Sequence, residues 1–202
     1  MRRGTTTIVA GQLGHGATTL ALALLAAASQ AGSWCAAVGL ADPGVVAVAE
    51  LGLDLRRVVF VPHPGNGWAE ATGDLLTGVD AVVVRPPGRP RLTAARHLTA
   101  RARERQVALV VLEGAGRWPV GGDLALSVEA VEWEGVGRGH GHLQGRLAQV
   151  RVSGRGAAGR TTECSLWLPA GSGVVTVAEE TERTKTESAE CRTGPGDGPE
   201  AA

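Results

Sequence analysis

Gly11, Gly16 and Thr18 stand at the spacing of a phosphate-cradling loop, G-x-x-x-x-G-K-[ST]. In such a loop backbone N–H groups and the N-terminus of the next helix hold an anion. The lysine adds a point charge on the β- and γ-phosphates, and the hydroxyl after it meets Mg²⁺. The stretch here is Gly11-Gln12-Leu13-Gly14-His15-Gly16-Ala17-Thr18-Thr19, so the lysine position holds Ala17. The one lysine of the chain, Lys185, lies far away in a polar C-terminal stretch. Gly11, Gly14, Gly16, Thr18 and Thr19 therefore form a candidate nucleotide site that is vestigial, a cradle without its cation, and no cofactor is expected. A dinucleotide reading, with Asp42 on a ribose, fails because the glycines are not in G-x-G-x-x-G order.

The elements around the loop agree with that layout. Thr6–Ala10 is β-branched and reads as a strand; Thr18–Gln30 is an apolar helix stopped by Gly32. Further apolar strands are expected at 34–40, 58–61, 80–84 and 107–112, with helices at 45–51, 68–76 and 92–105 between them. Continuous apolar strands alternating with helices predict a parallel α/β sheet covered on both faces. After Gly116 the pattern changes. Segments 123–133, 143–153 and 162–168 lack helical periodicity and read as antiparallel strands added to one edge.

The totals set further bounds. The 202 residues suit one domain with appendages, and a 44% hydrophobic fraction suffices for a core built on Val, Leu and Ala. The net charge is zero but unevenly placed. Glu179, Glu180, Glu182, Glu187, Glu190, Asp197 and Glu200 outnumber Arg183, Lys185 and Arg192 in the last segment, leaving residues 1–178 basic through arginine alone. The division expected is a core at 1–178 and a disordered acidic tail at 179–202, whose Thr, Glu, Gly and Pro cannot bury enough to order themselves. Cys35, Cys164 and Cys191 show no metal-type spacing and read as reduced thiols. No apolar run is long enough to span a membrane, and sixteen residues with four glycines separate Arg3 from the apolar run 20–28, against a secretory signal. A cytoplasmic protein is expected.

The chain resembles a degenerate RecA-type ATPase core over roughly residues 4–168. The likeness rests on Gly11 to Thr19 and its helix, on Ala41-Asp42-Pro43, and on Leu51-Gly52-Leu53-Asp54-Leu55 leading into the third strand. Among RecA relatives it is similar to ImuA-type proteins of actinobacterial mutagenesis cassettes, through Arg146–Gly156 and Leu166-Trp167-Leu168-Pro169. That resemblance implies an accessory factor for error-prone translesion synthesis in the SOS response to DNA damage. Its partners would be a catalytically inactive Y-family polymerase-like protein that docks on the sliding clamp and, directly or through it, an error-prone C-family DNA polymerase. Localisation would be cytoplasmic and nucleoid-associated on damage. The departures matter as much. Arg85 follows Ala81-Val82-Val83-Val84 where the family's Mg²⁺-binding aspartate should end the strand, and Gly39-Leu40-Ala41 lies where its catalytic glutamate would fall. Hydrolysis needs Mg²⁺ and positioned charge, so a non-enzyme is expected.

Other candidates are weaker. Arg138, Arg146, Arg151 and Arg155, with no acid in 138–160, could contact nucleic-acid phosphates; no Tyr or Phe stands among them to stack bases, and a solvated hairpin or a docking face for an acidic protein fits equally. His140 and His142 have no third metal ligand in view, and no metal is expected. Arg85 could pair with Asp42, meet a phosphate or stand exposed. No serine or cysteine has the neighbours of an activated nucleophile. The alternatives to a scaffold are a P-loop NTPase that borrows a lysine from a partner, and a DNA-binding regulator of recombination or cell division.

Overall fold

The computed structural model describes residues 2–136, 141–154 and 161–178; the acidic tail expected at 179–202 lies outside them. The strands are β1 (Thr6–Gly11), β2 (Cys35–Val38), β3 (Val58–Val61), β4 (Ala81–Val84), β5 (Ala108–Leu112), β6 (Leu124–Val136), β7 (Gly141–Gly154), β8 (Thr162–Trp167) and β9 (Thr176–Val177). The helices are α1 (Ala17–Gln30), α2 (Val45–Glu50), α3 (Trp68–Leu75) and α4 (Leu92–Glu104). The nine strands among the described residues join one sheet in the order β3-β2-β4-β5-β1-β6-β7-β8-β9. The architecture is mixed α/β, mostly parallel, with a C-terminal antiparallel group.

Strand alternation divides the sheet's buried residues into two clusters. Val9, Ala37, Val83 and Val110 face α1; Ala36, Val82, Val84 and Leu109 face the side of α3 and α4. Both faces being covered explains why β2, β4 and β5 are apolar throughout. Helix α1 ends as its sequence suggests. Gly32 takes φ +87°, its N–H bonds to Ser29 and that of Ser33 to Ala28, the paired closure glycine permits after a helix.

β6 departs from expectation. It runs parallel to β1, with Ile8 opposite Ala125, and only β7, β8 and β9 are antiparallel. An apolar alternation marks a strand but not its direction. Here the return to the start of β1 is pinned by Asp123, whose N–H donates to the Thr6 carbonyl at 2.8 Å while its carboxylate accepts the Thr6 N–H at 2.9 Å. Trp118, 6% exposed, anchors the crossing connection beside Trp68, ring centroids 6.4 Å apart. The short β9 had no legible sequence signal. Beyond β8 the chain curls over α1: Leu168 and Val175 join the α1 cluster, and Gly173 packs on the Glu50 side chain of α2. Hence α1 is apolar on nearly every side.

Candidate functional site at the glycine loop

The loop between β1 and α1 has the conformation its glycines allow. Gly14 and Gly16 have φ of +86° and +91°, values that L side chains rarely adopt. The His15 N–H bonds to Gln12 and the Leu20 N–H to Gly16, the helix's first turn. Inside lies a cavity of about 190 Å³ lined by Gly11–Gly14, Gly16–Thr18, Arg85 and Leu112–Gly114. A wider cleft of about 740 Å³ continues outward past Arg89, Glu113 and Arg117.

Four of the five loop residues singled out in the sequence, Gly11, Gly14, Gly16 and Thr18, line this cavity, and Arg85 is brought to them; Thr19 lies outside it. The β4–β5 pairing, Val84 opposite Val111, sets the end of β4 beside that of β5. The Arg85 N–H bonds to Val38 at 2.8 Å, and its Nε lies 3.3 Å from where a Cβ on Gly114 would stand. Its side chain is half-buried and forms no ion pair with Asp42 or any other described residue.

Two residues were missed or misplaced by sequence reasoning. Glu113, directly after β5, puts a carboxylate into the cavity wall. Its Oε1 accepts the Trp118 N–H at 2.8 Å and so shapes the turn into the crossing connection. The available signal was an acid terminating a fully buried strand. Arg146 is the correction. The sequence groups it with solvent-facing arginines, yet it is 9% exposed and points at the loop. Its Nη1 donates to the Gly14 carbonyl at 2.6 Å and its Nη2 reaches Thr19 Oγ1 at 3.4 Å, while Trp133 lies over its other face at 5.0 Å. Burial lowers its pKa from the ordinary value, but a guanidinium keeps its charge. Strand parity is the reason: Arg146 continues the row of Ala148 and Val150, which faces α1.

Arg151, of opposite parity, is half-exposed and pairs with Glu129 at 2.7 Å and Glu163 at 3.2 Å. Arg138, Arg155 and His140 lie outside the described residues. Among those described, no three metal-ligating side chains converge, and no helix is long and apolar enough to cross a membrane. Burial, with the Asp80 charge adding to it, pushes the Cys35 thiol up to about 11, which removes it as a nucleophile near neutral pH.

A family model described as the MT3502 N-terminal domain matches residues 1–120, the stretch from the N-terminus through β5. A protein of Mycobacterium tuberculosis strain H37Rv, named "Uncharacterized protein Rv3395c", is 32% identical over 151 residues, 70% of this chain and 71% of the relative.

Proposed function

The chain belongs to the MT3502 N-terminal domain family, and we propose that it is a non-catalytic, RecA-like P-loop protein serving error-prone translesion synthesis. In this reading it acts by binding, as a scaffold, a catalytically inactive Y-family-like protein docked on the sliding clamp, together with an error-prone C-family polymerase. It works in the cytoplasm and joins the nucleoid on DNA damage. The partner assignment is supported by the resemblance of Gly11–Thr19, Leu51–Leu55 and Arg146–Gly156 to ImuA-type proteins.

In this reading no turnover is expected, on one observation: Ala17 and Arg85 are among the residues that line the loop cavity. A phosphoryl-transfer site needs a metal-holding carboxylate and a cation on the phosphates at such positions. A cation in the carboxylate's place repels Mg²⁺. The nucleotide-hydrolysing reading draws on Glu113, the acid in the same wall, which could orient a water. Its bond to the Trp118 N–H gives it a structural task that needs no substrate.

The test pairs capture of the Y-family-like protein by the purified full chain with an ATP-hydrolysis assay. Capture with turnover at background supports the scaffold. Magnesium-dependent turnover that disappears in Glu113→Gln would establish the enzyme instead, and failure of capture would remove the partner assignment.

A further inference from the structure

We propose that Arg146 is a built-in clasp, a cation from β7 that braces the outer wall of the glycine loop and holds its cradle form independently of any phosphate. The inference rests on the reading of the loop as non-catalytic and adds how its shape is maintained.

In an active loop of this kind, a phosphate gathers the inward-pointing N–H groups. Here the grip is on the opposite surface. Arg146 takes the Gly14 carbonyl and reaches the Thr19 hydroxyl, so it holds both ends of the turn into α1. It does not line the 190 Å³ cavity inside the loop. The fit is close: a Cβ on Gly16 would stand 2.5 Å from Nη2 and 2.8 Å from the guanidinium carbon. Gly16 is thus needed twice, for its positive φ and for this approach.

The electrostatics tie loop and clasp together. A buried cation is costly unless its surroundings compensate it, and no ion pair among the described residues includes Arg146. What faces it is a carbonyl oxygen, a hydroxyl and the Trp133 ring, whose negative face attracts a guanidinium. The positive end of the α1 dipole lies close by and opposes it. Its Nε has no partner. Arg146 therefore depends on the Gly14 carbonyl staying where it is, and the loop depends on Arg146. The direct pairing of Trp133 with Arg146 across β6 and β7 links the antiparallel strands to the loop.

Residue-resolved amide exchange on the full chain tests this, with the hydrogen-bonded His15 and Leu20 N–H groups as reporters and β5 as the internal control. In the unmodified protein both reporters should be protected without nucleotide, and saturating magnesium ATP or pyrophosphate should change them less than about twofold. Arg146→Ala should speed them by about ten- to a hundredfold, the loss of one charge-assisted hydrogen bond, while β5 stays unchanged. Arg146→Lys keeps charge and stem without the fork and should fall between, which preserves the test if the alanine variant does not fold. Unchanged reporters in the lysine variant, or in a folded alanine variant, would overturn the clasp. So would protection that appears only with pyrophosphate and requires Arg146, because Arg146 would then be an anion ligand. ATP turnover would sink the non-catalytic reading while leaving the exchange result to be judged by itself.

Discussion

The two sides of the glycine loop are built on different principles. On the β7 side, Arg146 is buried, forked onto a carbonyl and covered by a tryptophan. On the β4–β5 side, Arg85 is half-buried, its N–H bonded to Val38 and its side chain in no ion pair among the described residues, and Glu113 is tied to a backbone N–H. Each side has an arginine residue close to a glycine, but the approaching atoms differ. Gly16 lies against the guanidinium end of the Arg146 side chain, whereas Gly39 lies against the Arg85 carbonyl, part of the backbone. On the proposed reading, one side braces the loop's shape while the other sets a cation, Arg85, in the cavity wall.

The largest effect that would break this contrast lies at Gly39. With φ at +77° and the Arg85 carbonyl in the way of any Cβ, Gly39→Ala should cost at least about 3 kcal/mol in urea unfolding. Gly16→Ala should cost less, about 1–3 kcal/mol, because the guanidinium can swing aside, and faster exchange at His15 should accompany it. Equal costs at the two glycines would show that the clasp is as unyielding as backbone. Glu113→Ala should lose about 1–2 kcal/mol by leaving the Trp118 N–H unpaired, with a red shift in Trp118 emission. A larger loss, accompanied by lost nucleotide binding, would make Glu113 a ligand-site residue. Arg151→Ala, on the same strand as Arg146 but facing outward, should change stability by no more than about 1 kcal/mol and less at high salt. Smallest of all, Arg85→Ala should stay within about 0.5 kcal/mol; a clear gain in Mg²⁺ binding there would show that its charge had been repelling the metal.

Local chemistry determined much of this protein. The glycine spacing of residues 11–16, the β-branched run before it and the apolar run after it sufficed for β1, the loop and α1. The apolar strands β2 to β5 and the helices between them were legible because each element carries its own periodicity and stop signals. Ala17 stands at the lysine position of the loop pattern and Arg85 directly follows β4, and both placements at the cavity followed from the sequence spacing. Direction, parity and distant contact were settled by tertiary structure. β6 runs parallel because Asp123 closes onto Thr6, 117 residues away in the chain. Arg146 and Arg151 look alike in sequence, yet strand parity sends one to the loop and the other to Glu129 and Glu163. Glu113 became part of the cavity only when the ends of β1, β4 and β5 were set side by side. Periodicity and motif spacing are short-range properties that a chain carries along its length. The position of a buried charge depends on which partners the fold brings to it.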